Sequence, residues 1–288
     1  MFKRSAPPGG RRRINLRKTL FILPNLVTLS SVFCGFDSIR LSTGANNPTS
    51  GGGDDDFHRA AILIVFAMIF DMLDGRVARM TKTQSAFGLQ IDSLADVISF
   101  GVAPAMLVYQ WSLQKLGTVV GLIASFVYVA CAAIRLARFN VIATGDDGKP
   151  GKPSKFFLGL PSPGAAGLLV SIVVANHAAS GLLGRSEYSW IILVITVLTA
   201  FLMVSNVQFR TFKDVRPNLR TSLFVAFAVG SSIVILLKMK PSYVLVWLLG
   251  FYVLLGIFET LWRLPARIRE RRAAASSTNV PPNPPPAD

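Results

Sequence analysis

The chain has 288 residues, 51% of them hydrophobic and only 16% charged, with a formal net charge of +15. Apolar runs of about twenty residues recur along its whole length, which a soluble core of this size does not need, so the composition excludes an ordinary globular protein and indicates a multi-span membrane protein. The positive excess would suit nucleic acid, but its distribution along the spans argues against that.

Residues 1–18, "MFKRSAPPGGRRRINLRK", form a basic amino-terminal segment. It starts like a signal peptide, yet the apolar run behind it contains Pro24 and Asn25 and lacks a small-residue cleavage site, so no cleaved signal is expected. Its basic residues would rest on anionic head groups, each worth about 1 kcal/mol near the surface. Hydropathy then predicts spans at 20–43, 59–80, 95–113, 117–136, 160–180, 189–206, 219–238 and 241–262. The expected fold is an all-α integral membrane protein, a bundle of about eight transmembrane helices in one domain over residues 19–265, without internal repeats. Residues 44–58 and 139–159, polar and rich in Gly and Pro, are expected as loops. Residues 266–288 read as a basic, then Pro-rich, disordered tail. Cys34 and Cys131 fall inside spans without metal-ligand spacing and read as small buried apolar residues.

With the amino terminus in the cytoplasm, only Arg40, Arg59, Lys115, Arg185, Lys238 and Lys240 of the 30 basic residues lie on the far side. This is the positive-inside pattern for an even number of spans with both termini cytoplasmic. Topology accounts for the charge, and no nucleic-acid partner is expected.

The second and third apolar runs contain "FDMLDGRVARMTKTQSAFGLQIDSLADVISFG", Phe70 to Gly101, with four aspartates. If residues 59–80 are helical, Asp71, Asp74, Gly75 and Ala78 fall within an arc of about 100°. The spacing of four likewise puts Gly88, Asp92 and Asp96 on one face of the next helix, with Ser85 and Ser99 near that stripe. A carboxylate in hydrocarbon costs roughly 2.5–3.5 kcal/mol, so four uncompensated ones would cost on the order of 10 kcal/mol. Ion pairing with Arg76, Arg79 and Lys82, or exposure at the cytoplasmic helix ends, is the structural alternative to a ligand. Four carboxylates with few bases on their face suit two hard divalent cations, Mg²⁺ or Mn²⁺, and a two-metal site points to phosphoryl chemistry. Gly75 and Ala78 beside them either leave a groove for a phosphorylated group or permit close helix packing.

Read as D-x-x-D-G-x-x-A-R, eight residues, then G-x-x-x-D-x-x-x-D, the run from Asp71 to Asp96 resembles the signature of the CDP-alcohol phosphotransferases at every fixed position. The resemblance implies a membrane enzyme that displaces CMP from a CDP-linked group with an alcohol. It implies Asp71, Asp74, Asp92 and Asp96 as ligands of two divalent ions, with Asp96 also the base for the incoming hydroxyl. Gly75, Ala78, Arg79 and Gly88 would shape or bind the CDP portion. Asn25 and Thr28, on one face of the first span, correspond to the nucleotide side of that pocket; a bond to another helix, or to backbone freed by Pro24, is the alternative. No Ser, His or Lys beside the aspartates stands out as a nucleophile, which favours direct attack by the alcohol.

"LPNLVTLSSVFCGF", "DSLADVISFGVAPA", "RLARFN" and "FFLGLPSPGAAG" together look like the bacterial membrane-integral phosphatidylserine synthases within that family. The similarity covers about the first 180 residues. It implies CDP-diacylglycerol and L-serine as substrates, a multi-pass bacterial inner-membrane protein with its active site facing the cytoplasm, membrane lipids as neighbours, and a homodimer. Serine carries a carboxylate, for which Arg135 and Arg138, one turn apart, offer a cationic fork, with Asn140 adding an amide; marking the cytoplasmic boundary is the other reading of the arginines. Pro161 and Pro163 in "GLPSPG" suit a rigid turn, and contact of Ser162 with substrate is the alternative. The acidic stretch "GGGDDDFH" is expected outside, solvated and away from the motif. Two further alternatives are a different acceptor (glycerol 3-phosphate, inositol phosphate or choline), which would want a denser basic pocket if phosphorylated, and a cation transporter, which would need aspartates accessible from both faces.

Overall fold

The computed structural model describes residues 16–46, 53–81, 86–144, 157–209 and 219–258, and every long element in them is a helix. The basic segment up to residue 15, Ser85 and Lys82, and the tail from 259 lie outside the described residues.

Helix α1 (Leu16–Gly44) packs along α2 (Gly53–Thr81), its most extensive helix contact. The expected loop 44–58 is shorter than predicted, because α2 already begins at Gly53. Asp54, Asp55 and Asp56 occupy its first turn, where free backbone N–H groups and the helix dipole favour carboxylates. The stretch from Gly53 is therefore a helix start and not a loop, with Asp54 and Asp55 exposed as expected and Phe57 buried one residue after Asp56.

Helix α3 (Ala86–Asp96) runs through a π-helical turn, Val97–Val102, into α4 (Ala103–Trp111). Together they make one apolar rod, Phe87–Trp111, long enough to span at about 37 Å against roughly 30 Å of hydrocarbon. The predicted start at 95 is therefore too late: Gly88, Gln90 and Asp92 lower the local hydropathy of a helix that is already under way. A short turn, Leu113–Leu116, leads to α5 (Thr118–Thr144). This helix continues past the predicted end at 136, through Arg138 and Asn140, since "ARFNVIAT" holds no Pro or Gly.

Helix α6 (Ser162–Ala178) is buried over most of its length in the middle of the bundle. Two one-turn segments, Leu182–Gly184 and Ser186–Tyr188, connect it to α7 (Ser189–Val204). The entry to α6 is tied to the exit of α7 by a two-residue antiparallel ribbon, β1 (Phe157–Leu158) with β2 (Gln208–Phe209). The Gly159 N–H donates to Val207 O at 2.8 Å and the Leu160 N–H to Leu202 O at 3.0 Å. Gly159 has φ +82°, and a Cβ there would lie 2.1 Å from Met203 O, so only glycine fits this crossing. Helices α8 (Leu219–Lys238) and α9 (Ser242–Phe258) follow.

Among the described residues, three helices are long and apolar enough to cross a membrane: Phe87–Trp111, Thr118–Ile142 and Ser186–Val204. Three shorter apolar helices, Ser162–Ala178, Ala226–Lys238 and Ser242–Phe258, accompany them. Helices α1 and α2 have the length but interrupt their apolar runs with Asp37 and Arg40, and with Asp71, Asp74 and Arg76. The molecule is thus an all-helical membrane protein with fewer self-evident spans than the eight expected. Buried alanines at 60, 61, 103, 132 and 165 bring the helix backbones close, while Phe33, Phe126, Ile134 and Leu198 point outward, as lipid-facing residues do.

Candidate active site

The carboxylates sit where α2, α3 and α1 meet. One carboxylate oxygen from each of Asp71, Asp74 and Asp92 lies within 4.8 Å of the others. Asp96, at the end of α3, stands next to the Asp71 carboxyl. Asp74 is only 4% exposed, and Thr28 Oγ1 lies 2.6 Å from its Oδ2 and 3.1 Å from Pro24 O. The single hydroxyl proton serves the nearer acceptor, so Thr28 donates to Asp74 and holds its rotamer. Asn25 is half-buried one turn earlier on the same helix.

Like charges at this spacing repel by about 4 kcal/mol per pair at an effective dielectric near 20. Among the described residues no Lys or Arg stands within ion-pair distance of any of the four; the Asp–Arg pairs join Asp37 to Arg40 and Asp56 to Arg59 instead. Arg76 and Arg79 are exposed on α2. The cluster therefore presents hard oxygen donors without a base in ion-pair contact, the donor set that Mg²⁺ or Mn²⁺ takes.

A Cβ added at Gly75 would meet nothing within 4 Å, so this glycine borders open space beside Asp74 and does not mediate helix packing. The contrast is Gly35 on α1, where a Cβ would stand 3.0 Å from Ser99 Cα and Oγ. There α1 seats the π-helical turn directly behind Asp96, and Ser99 Oγ donates to Ser31 O at 3.0 Å. Tyr128 of α5 donates to Phe100 O at 3.2 Å, satisfying a carbonyl of the same turn. Ala78 and Gly88 are half-buried on α2 and α3.

Arg135, Arg138 and Asn140 leave α5 in different directions. Arg135 Nη1 donates to Ser162 Oγ at 2.7 Å, its Nε is buried without a partner, and its charge acts on Asp96. Arg138 is committed to the end of α7, through Asn206 Oδ1 at 2.9 Å and Val204 O at 3.4 Å. Asn140 Nδ2 donates to Ser93 Oγ at 2.8 Å, bracing α5 against α3 beside Asp92. Two partners escaped the reading of the sequence. Ser93 is one residue from a motif aspartate but shows its role only once α5 lies against α3. Tyr252 of α9 acts electrostatically on Arg135, a relation that no local pattern in α9 announces.

Comparison with known proteins follows the same lines. A family model described as CDP-alcohol phosphatidyltransferase matches residues 21–202. The chain is 36% identical over 256 residues to a CDP-diacylglycerol–serine O-phosphatidyltransferase of Helicobacter pylori, covering 89% of this chain and 98% of that one. It is 30% identical over 276 residues to the protein of that name from Mycobacterium tuberculosis, covering 95% and 86% of the two chains. An archaetidylserine synthase of Methanothermobacter thermautotrophicus is 34% identical over 194 residues, 66% of this chain and 71% of its own.

Proposed function

The chain belongs to the CDP-alcohol phosphatidyltransferase family, and we propose on that premise that it transfers the phosphatidyl group of CDP-diacylglycerol to L-serine. The observation that carries this reading is the cluster of Asp71, Asp74 and Asp92, joined by Asp96 and with no base in ion-pair contact among the described residues, in a chain that matches serine-named relatives over nearly their whole length. The serine hydroxyl oxygen forms the new bond to the phosphatidyl phosphorus, the pyrophosphate P–O bond breaks, and CMP leaves with the electron pair. The hydroxyl proton passes to the Asp96 carboxylate.

Asp71, Asp74, Asp92 and Asp96 would hold the divalent ions, Mg²⁺ or Mn²⁺ and two in number, which when bound neutralise charge on the pyrophosphate oxygens. Thr28 keeps Asp74 aimed into the site. The open side of Gly75, with Ala78, Arg79, Gly88 and Asn25 around it, receives the CDP portion. The buried Nε of Arg135 is a donor awaiting an acceptor, which the serine carboxylate supplies next to the proposed base. Arg138 and Asn140 hold α5 against α7 and α3 in this scheme, positioning Arg135 more than touching serine. The excess of basic residues on the motif side supports a site at the cytoplasmic face of the membrane, a bacterial inner membrane in this proposal, with lipid substrate entering laterally.

CMP release by the purified protein in detergent, with CDP-diacylglycerol and Mg²⁺ or Mn²⁺, tests this directly. Release is expected with L-serine and not with glycerol 3-phosphate, inositol phosphate or choline, and EDTA should abolish it. Preference for another acceptor overturns the serine assignment, and indifference to EDTA overturns the metal assignment. A separate expectation concerns the groove. Gly75→Leu should fold normally, since its Cβ meets open space, yet raise KM for CDP-diacylglycerol by about tenfold or more, roughly the loss of one good contact. An unchanged KM would place the nucleotide elsewhere.

A further inference from the structure

The end of the bundle remote from the carboxylates contains a cavity. Asp54 opens α2 about 26 Å along the helix from Asp71, at 1.5 Å per residue. Around it lies a space of about 390 Å³, lined by Asp54, Trp111, Lys115, Gly181, Gly184 and Arg185, a volume within the range of small-molecule sites. None of these residues belongs to the proposed reaction.

The walls, though largely apolar, carry a few prearranged polar groups. Trp111 is only 2% exposed, and its indole N–H is buried without an acceptor, a donor that folding leaves unsatisfied. Gly184 in the adjacent wall has no side chain to intrude there: a Cβ would stand 2.9 Å from that nitrogen. Asn176, 1% exposed, fastens two walls together, donating to Asp54 Oδ1 at 2.9 Å and accepting from the Gly184 N–H at 2.8 Å. The second Asp54 oxygen faces Gly181, 3.8 Å from where a side chain there would begin.

Charge is divided across the cavity. Lys115 Nζ donates to Gly184 O at 2.5 Å, which holds its ammonium at the wall, and burial pushes its pKa down while Asp54 opposes the shift. Among the described residues no carboxylate lies within ion-pair distance of Lys115 or Arg185. Arg185 and the indole N–H thus have no anion in contact, Lys115 feels Asp54 only beyond ion-pair distance, and Asp54 keeps one oxygen toward Gly181 in the cavity wall. That arrangement matches a zwitterion, with its anionic group toward Trp111, Lys115 and Arg185 and its ammonium toward Asp54.

The position narrows the source. The cavity lies at the ends of two candidate spans, Phe87–Trp111 and Thr118–Ile142, at head-group level, and the exposed Leu182 and Trp190 sit on the segments that flank Arg185. We propose that this cavity is a binding site for a phosphate–ammonium zwitterion such as a phosphoethanolamine head group, separate from the catalytic cluster. The same chemistry is offered by a phospholipid of that leaflet and by the free aminoalkyl phosphate.

Native mass spectrometry of the purified full chain, titrated with dioleoylphosphatidylethanolamine or dioleoylphosphatidylglycerol, tests the site. Wild type should retain the ethanolamine lipid with a Kd about tenfold lower than the glycerol lipid, the worth of one charge-assisted contact. Asp54→Asn should erase that preference, and Arg185→Ala, exposed and outside any helix, should weaken both lipids about tenfold while CMP release stays within about twofold of wild type. Displacement of the bound lipid by millimolar phosphoethanolamine identifies the head group alone as the ligand; its failure to displace assigns the site to the intact lipid. Equal retention of both lipids by wild type, or retention unaffected by both variants, overturns the proposal.

Discussion

Asp96→Asn is expected to reduce CMP release at saturating substrates by about 10³-fold, the scale on which a positioned general base acts. The amide keeps the size of the carboxyl and one of its oxygens, but it accepts no proton and brings no charge to a metal. Asp92→Asn should be as damaging, because one of the three closely converging carboxylates loses its charge. Neither change should unfold the protein. Four clustered carboxylates repel one another when no cation is present, so each Asn variant in EDTA should melt at or above the wild-type temperature. Wild type should then gain thermal stability on addition of Mg²⁺ or Mn²⁺ through binding to the folded state, and the variants should gain little. Full activity in either purified variant, or metal stabilisation equal to wild type, would refute the assignment of these residues.

Arg135→Ala should raise KM for serine by about 10- to 100-fold, the equivalent of roughly 1.5–3 kcal/mol for a hydrogen bond to a charged group, with KM for CDP-diacylglycerol changed by less than about twofold. The selectivity follows from geometry: one guanidinium nitrogen is already fixed by Ser162, while Nε is buried and unpartnered beside Asp96. Arg135→Lys should recover little, since an ammonium lacks the planar fork that serves Ser162 and a carboxylate together. Arg138→Ala should affect serine less, because that guanidinium is occupied by Asn206 and Val204. Equal effects of Arg135→Ala on both substrates would count against a carboxylate site there.

The candidate site was legible to different depths in different places. Helical periodicity aligned Asp71 with Asp74 and Asp92 with Asp96, because side-chain direction along a helix follows from residue spacing alone. It did not say what flanked them. Thr28 stood open between contact with nucleotide and a bond to another helix or to backbone near Pro24, and the structure places its hydroxyl on Asp74 of α2 and near Pro24 O. Gly75 admitted both a groove and a packing surface until the neighbouring helices were in place, and then nothing occupied its open side. Arg135, Arg138 and Asn140 looked like one cluster because they are close in sequence, yet three different helices claim them.

By itself the sequence determined the membrane class, most of the long helices, the paired carboxylates and the kind of chemistry they invite. These follow from hydropathy, from the 3.6-residue repeat and from the cost of burying charge, all of which act within one element or a short run of them. Helix limits were less secure where functional polarity and loop polarity look alike, as in the late start assigned to the span beginning at Phe87 and the missed first turn of α2. Only the tertiary structure decided which arginine keeps a free donor, which glycine faces open space, and that Asp54, Trp111, Lys115 and Arg185 surround one cavity. Those features depend on contacts between residues far apart in the chain, whose satisfaction or exposure is set by how the helices pack.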